Sequence, residues 1–182
     1  GHSDIVGGSI VIKENKEYAE KISYIQNAVG AIPSPFDCYL LTRSIKTLSV
    51  RMKQHNENAI AVSNFLTNHS KINKVFFPGI DERYKEVAAK QMDGFGGMMS
   101  FILDTNIDGV KSFLKNLNIF TLAESLGGVE SLIEHPAIMT HASIDPAIRE
   151  KLGISDTLLR ISVGIEDVED LIADLDQALS KI

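Results

Sequence analysis

The sequence predicts an α/β fold in two parts, a largely helical N-terminal part and a small C-terminal sandwich of helices on a sheet. Two observations predict it. Helical periodicity dominates residues 14–69, whereas short apolar runs alternate with amphipathic segments over 71–182. The 182 residues are 44% apolar, enough to build a sizeable core. We therefore divide the chain into domains over 1–70 and 71–182.

The N-terminal part is predicted to hold one strand and two helices. An apolar run after paired glycines predicts a buried strand over 9–12. Apolar residues at spacings of three and four predict a helix over 14–29, with Gly30 as its stop signal. Ser34 can cap a second helix, and apolar residues sustain its period to about residue 69. A helix of that length usually bridges two domains or packs across one.

The C-terminal part is predicted to alternate strands with helices. Apolar runs next to turn signals predict strands over 75–77, 98–103, 119–123 and 158–163. Amphipathic segments predict helices over 82–92, 108–117, 147–151 and 166–182. The second part therefore reads as a compact α/β unit.

Charge and composition exclude several classes of protein. The net charge is -6 and no basic patch is present, which argues against a nucleic-acid or anionic-membrane surface. No apolar run approaches the ~18 residues of a membrane span. Cys38 is the single cysteine, which excludes an internal disulfide and a multi-thiolate metal site. A single cysteine also fits a reducing compartment, so we expect a cytoplasmic protein. His135 and His141 match no ligand spacing, so we expect no metal.

A charged residue interrupts the last predicted strand. Alternation places Leu159 and Ile161 on one face and Arg160 on the other. A guanidinium in the middle of a strand needs an anion, and its planar fork suits a carboxylate or a phosphate. The strand alone leaves two readings open, a structural ion pair and a ligand site.

Polar residues and paired glycines follow the strand predicted over 119–123. Gly127 and Gly128 free the backbone to turn sharply, and Glu124 and Ser125 add a charge and a hydroxyl at that bend. Strand ends commonly carry the sites of α/β proteins. The alternative is a polar loop in which Ser125 makes a local turn bond.

Several motifs along the whole chain occur together and in order. They are GHSD at 1–4, NAVGA at 27–31, IKTL at 45–48, GMMSF at 97–101, FTLAESLGGVESL at 120–132, MTH at 139–141 and LRISVGIED at 159–167. Together they resemble the pyridoxal-phosphate (PLP) enzymes of cysteine and methionine metabolism, the transsulfuration family. The resemblance implies the aspartate-aminotransferase-like type I fold, with the tail of its large domain followed by the small C-terminal domain.

The resemblance also implies what lies outside this chain. The family's Schiff-base lysine precedes the glycine of GHSD by three positions, so it is expected just before Gly1. The residues that hold the cofactor are expected mainly in the family's earlier half. Lys46 is then structural, and the chain by itself is expected to be inactive without its N-terminal half.

Four residues match substrate-binding positions of the family. Arg160 matches the arginine that holds the α-carboxylate of the amino-acid substrate, and Ser125 matches a residue that helps to secure the same group. Glu124 matches a glutamate at the distal end of the substrate. Asn27 matches a position that reaches into the neighbouring subunit's site of a homotetramer.

The resemblance favours a cystathionine γ-synthase, which joins an O-acylhomoserine to cysteine. The alternative is a γ-lyase that cleaves cystathionine to cysteine, 2-oxobutanoate and ammonia. A second alternative is a non-catalytic binding or assembly module derived from the family.

Overall fold

The computed structural model describes residues 1–182 and divides into two compact units. One unit is His2–Leu48, and the other is Ser49–Ile182 together with Gly1. The boundary predicted near residue 70 separates the large and small domains of the type I fold, and it stays a prediction.

The unit His2–Leu48 is helical. Its elements are α1 (Lys16–Val29), α2 (Pro35–Ser44) and a 3₁₀ turn (Ile45–Thr47). Gly30 ends α1 in the left-handed region, with φ 75°. The side chain of Ser34 caps α2 by accepting a hydrogen bond from the Asp37 N–H at 3.1 Å. Both predicted helix signals are therefore confirmed.

The strand predicted over 9–12 is wrong. These residues form no strand and pair with no other segment of the chain. A strand is stabilised by its neighbour, and an apolar run without one has no ladder to join. No residue of His2–Leu48 is buried, and the apolar side chains of α1 are exposed or only half-buried.

The long helix predicted to reach residue 69 is present with one interruption. After the 3₁₀ turn, α3 runs over Leu48–Asn68. The Thr47 hydroxyl donates to the Ser44 carbonyl at 3.2 Å, at the point where the helix tightens. A threonine hydroxyl that bonds back to the preceding turn commonly bends a helix.

The unit Ser49–Ile182 is built on a five-stranded sheet in the order β1-β2-β5-β4-β3. The strands are β1 (Ile72–Phe76), β2 (Met98–Leu103), β3 (Thr121–Leu122), β4 (Leu132–Glu134) and β5 (Leu158–Ser162). Only β3 and β4 pair in parallel, and the other neighbours are antiparallel. The remaining helices are α4 (Lys85–Gln91), α5 (Ile107–Asn116), α6 (Pro146–Lys151) and α7 (Val168–Leu179).

One face of this sheet forms the core. Alternate residues of β2 and β5 are buried there together with apolar residues of α3, α5 and α7. They include Met99, Phe101, Leu103, Leu159, Ile161, Ala59, Val62, Phe113 and Leu171. The opposite face of β5 carries Leu158, Arg160 and Ser162. The predicted α/β sandwich is confirmed, and this second face is where the candidate site lies.

Strand β4 was not predicted. It has three residues, one of them charged, so neither alternation nor an apolar run marks it. All three are buried because β4 lies inside the sheet between β5 and β3. Strand β3 covers only two of the five residues predicted over 119–123.

Asp174 of α7 holds the segment that leads into β3. Its carboxylate accepts hydrogen bonds from the backbone N–H groups of Asn118, Ile119 and Phe120 at 2.8, 2.8 and 3.1 Å. Burial alone would raise the pKa of Asp174, but these backbone bonds and one from Gln177 lower it below its usual value. The start of β3 is thereby tied to the C-terminal helix.

Polar side chains of α3 hold the end of β5. His55 Nδ1 donates to the Val163 carbonyl at 2.7 Å, and Asn58 Nδ2 donates to the carbonyls of Gly164 and Glu166 at 3.1 and 2.8 Å. The Glu166 carboxylate in turn accepts from the Ser131 N–H at 2.6 Å. These bonds tie the strand that carries Arg160 to the start of β4.

Candidate functional site

Arg160 lies in the middle of β5 on the face opposite the core. Its neighbours Leu159 and Ile161 are fully buried on the core side, so the strand itself orients the arginine away from the core. The Arg160 side chain keeps 24% of its surface exposed. The guanidinium is therefore held by the sheet and still reaches solvent.

A buried glutamate supplies an anion for Arg160. Glu134 of β4 is the direct cross-strand partner of Arg160, and its Oε2 lies 2.6 Å from Arg160 Nη1. The Glu134 side chain is only 1% exposed. The sequence left two interpretations of Arg160 open, a structural ion pair and a ligand site, and the structural ion pair is present. It does not exclude the other reading, since a guanidinium has more N–H groups than this contact uses.

Glu134 has a second partner on the segment after β4. Its Oε1 accepts a hydrogen bond from the Thr140 hydroxyl. Thr140 Oγ1 also lies 2.8 Å from His141 Nδ1. The sequence analysis did not single out Glu134, because a lone glutamate before a proline-containing segment carries no motif. Thr140 lies in the MTH motif at 139–141, but that motif gave it no role.

The loop between β3 and β4 lies over the same face of β5. Arg160 Nη2 donates to the backbone carbonyl of Glu124 at 2.8 Å. The Gly127 N–H donates to the Ser162 hydroxyl at 2.8 Å, and Gly127 has φ 74°. The predicted sharp turn at the paired glycines is confirmed at Gly127, where a side chain would be strained.

The side chains of Glu124 and Ser125 are exposed. The Ser125 hydroxyl makes no hydrogen bond within the chain, so the local turn bond considered for it is not formed. The Glu124 carboxylate likewise makes no ion pair, and only its backbone carbonyl contacts Arg160. The structure thus brings three of the four predicted substrate residues, Arg160, Ser125 and Glu124, to one place.

Asn27 and Lys46 belong to the other unit. Asn27 is exposed in the last turn of α1, and Lys46 is exposed in the 3₁₀ turn. No lysine contacts Arg160, Glu124 or Ser125.

No group of three or more His, Cys, Asp or Glu side chains is arranged to hold a metal ion. None of the helices combines the length and apolar character that a membrane span requires.

Comparison with known proteins identifies the family. A family model described as Cys/Met metabolism PLP-dependent enzyme matches residues 1–180. The chain belongs to this family. The resemblance read from the motifs is therefore confirmed, and the family is one of PLP-dependent enzymes.

Curated relatives of the family carry different names. Cystathionine gamma-lyase of Dictyostelium discoideum is 53% identical over 182 residues, which is all of this chain and 47% of the relative. Cystathionine beta-lyase of Coxiella burnetii is 52% identical over 180 residues, 98% of this chain and 46% of the relative. The chain spans about half the length of the curated relatives it matches.

Solved structures of the family share the fold. Cystathionine gamma synthase from Xanthomonas oryzae pv. oryzae, in complex with aminoacrylate and cysteine, superposes with a TM-score of 0.91 at 48% identity. Cystathionine gamma-lyase from Lactobacillus plantarum, complexed with L-serine, gives 0.89 at 44% identity. Each comparison covers all of this chain and 47% or 48% of the other. The type I fold predicted from the motifs is therefore confirmed.

The donors at this site fit a substrate carboxylate better than they fit the cofactor. A guanidinium with an exposed edge and a free serine hydroxyl can hold a planar anion in charge-assisted hydrogen bonds. A PLP site of this family also needs a lysine, and the nearby residues include none. The donors of Arg160 and Ser125 therefore have the chemistry of a carboxylate site and not that of a PLP site.

Proposed function

We propose that the complete protein containing this chain makes cystathionine from an O-acylhomoserine and cysteine, with release of the acyl group as a carboxylic acid. The observation that carries this proposal is the position of Arg160, which is fixed in β5 beside the exposed Ser125 and Glu124. The family membership and the γ-synthase structure at TM-score 0.91 support it.

In this proposal Arg160 binds the α-carboxylate of the amino acid through the N–H groups that Glu134 and the carbonyls of Glu124 and Ser125 leave open. Such a two-point contact fixes the orientation of the bound amino acid. The Ser125 hydroxyl, which has no partner in the chain, donates a further hydrogen bond to the same carboxylate. Glu124 extends toward the distal end of the substrate and recognises its polar groups.

PLP, when bound, supplies the electron sink on which bonds at the α, β and γ carbons become labile. The residues that hold it are proposed to lie before Gly1, including the lysine three positions upstream. The Val129 N–H donates to the Gly1 carbonyl at 3.0 Å, one residue beyond the Gly127–Gly128 pair. This bond keeps Gly1 close to the loop that carries Ser125, as a shared site would need.

The second candidate is cleavage of cystathionine with uptake of one water molecule, which gives cysteine, 2-oxobutanoate and ammonia. It is favoured by the relative named cystathionine gamma-lyase at 53% identity. The relatives named cystathionine beta-lyase add a variant of that cleavage, in which the products are homocysteine, pyruvate and ammonia. The same carboxylate contact at Arg160 serves each reaction, so the products must be compared directly.

Product analysis of the complete protein tests these proposals. With O-acetyl- or O-succinylhomoserine and cysteine, a synthase forms cystathionine faster than it degrades it. With cystathionine alone, release of 2-oxobutanoate identifies γ-cleavage and release of pyruvate identifies β-cleavage. A complete protein without the visible absorbance of PLP and without any of these products would instead be the non-catalytic module.

We further propose a cytoplasmic homotetramer in which Asn27 lies near a neighbouring subunit's site. The free, exposed thiol of Cys38 suits a reducing compartment. Measurement of the native mass of the complete protein tests the assembly, and a monomer with full activity would contradict the role given to Asn27.

A further inference from the structure

We infer that Glu134 is a positioning residue, which holds the Arg160 guanidinium ready for the substrate carboxylate. The inference rests on the proposed function, since it needs Arg160 to bind an amino acid. It assigns Glu134 no contact with the substrate and no part in proton transfer.

The first observation is the cost of burying Glu134. Its side chain is 1% exposed in a three-residue strand, and an ionised carboxylate there is costly unless it is paired. Arg160 is its ion-pair partner across the β4–β5 ladder. Arg160 is pinned at Nη1 by this contact and at Nη2 by the Glu124 carbonyl. The ion pair at Nη1 and the hydrogen bonds from Nη2 to the carbonyls of Glu124 and Ser125 together restrict the orientation of the guanidinium.

An arginine whose orientation is already restricted binds a ligand at a lower cost in side-chain entropy. A free arginine loses much side-chain freedom when it binds an anion, and that loss weakens binding. Arg160 has already lost it to Glu134 and the loop, while 24% of its side chain stays exposed. The remaining N–H groups are thus presented to a carboxylate in advance.

Thr140 holds the other side of Glu134. A hydroxyl has one hydrogen, and Thr140 donates it to Glu134 Oε1. The 2.8 Å contact with His141 Nδ1 must then be a bond that the Nδ1–H donates and Thr140 accepts. Hydrogen bonds thus run from His141 to Thr140 and from Thr140 to Glu134 Oε1, which leaves Glu134 Oε2, an oxygen without a hydrogen bond, to form the ion pair with Arg160.

A purely structural ion pair would behave differently. If Glu134 only offsets the charge of Arg160 for folding, its loss should affect all ligands of the site alike, through stability. If Glu134 positions the guanidinium, its loss should affect only ligands with a carboxylate. L-serine and ethanolamine separate these cases, because ethanolamine has the amine and hydroxyl of L-serine without the carboxylate.

The test uses Glu134→Gln and Thr140→Val in the complete, PLP-loaded protein. Binding of L-serine and of ethanolamine is measured by calorimetry. Glu150→Gln, which removes an exposed carboxylate of α6 without an ion pair, is the matched control. Thermal unfolding is recorded for each variant, and Thr140→Val carries the test if Glu134→Gln does not fold.

We expect Kd for L-serine to rise about 3- to 10-fold in each variant, the loss expected for one poorly held charge-assisted contact. Kd for ethanolamine should stay within about twofold of wild type, and the control should change neither value. Unchanged L-serine binding, or an equal rise for both ligands, would overturn the positioning role. A wild-type protein that binds ethanolamine as tightly as L-serine would instead refute the proposed function itself.

Discussion

The Ser162 hydroxyl accepts a hydrogen bond from the Gly127 N–H at 2.8 Å, and this bond joins the loop that carries Glu124 and Ser125 to the strand that carries Arg160. Ser162 is two residues from Arg160 on the same face of β5 and is buried beneath the loop. The distance between the arginine and the loop is therefore set by a side chain that is expected to contact no substrate.

Ser162→Ala should loosen this loop. Loss of the acceptor leaves the Gly127 N–H without its partner, and the lost hydrogen bond costs about 1 kcal/mol. If the loop must be reordered when substrate binds, this free energy corresponds to roughly a fivefold rise in KM. Steady-state kinetics on the complete protein measure it. Ser143→Ala, at an exposed serine without a hydrogen bond, is the control. An unchanged KM would mean that the backbone alone holds the loop.

Arg160→Ala should weaken binding of amino acids about 10- to 100-fold, because it removes a pair of charge-assisted hydrogen bonds. Arg160→Lys should recover only part of this, since an ammonium group cannot make the two-point contact. Titration with L-serine measures the effect, and visible absorbance reports whether PLP remains bound. Loss of PLP with normal affinity for the amino acid would contradict the role given to Arg160.

Glu124→Gln should change the preference among substrates, because the exposed carboxylate has no structural partner to lose. We expect the ratio of kcat/KM for cystathionine to that for an O-acylhomoserine to change about tenfold. The measurement is a competition between the two substrates. The exposed residue Glu86 offers a matched control, Glu86→Gln. Equal losses on both substrates would point to a folding defect.

Asp174→Asn should destabilise the protein in a pH-dependent way. The amide keeps one acceptor oxygen, but its NH₂ group faces backbone N–H donors that the carboxylate now accepts. The pKa of Asp174 is lowered in the folded state, so its stabilisation is complete above the unfolded pKa of about 4 and is lost as the pH falls through the folded value.

The measurement for Asp174 is the melting temperature of wild type and variant between about pH 7 and pH 3. The difference should correspond to about 1–3 kcal/mol at neutral pH and shrink below about pH 4. A difference that stays constant over this range would show that the charge of Asp174 does not matter.

Local signals in the sequence were sufficient for most of the fold. The strand predicted over 98–103 is β2 residue for residue, because an apolar run that follows a glycine-rich loop marks its extent and its start. The helix stop at Gly30 and the Ser34 cap depend only on neighbours within four residues, and both are present. Elements that depend on distant partners were harder to predict from the sequence, as the missed β4 and the incorrect strand over 9–12 show.

The motifs and periodicity of the sequence were sufficient to identify the family, the fold class and the candidate residues Arg160, Ser125 and Glu124, because such patterns are local in the chain. Only the tertiary structure revealed that Glu134, 26 positions from Arg160 in the sequence, is its cross-strand partner. It also revealed that Ser162 holds the loop at Gly127. Strand order decides such pairings, and strand order depends on long-range packing that a local pattern does not encode.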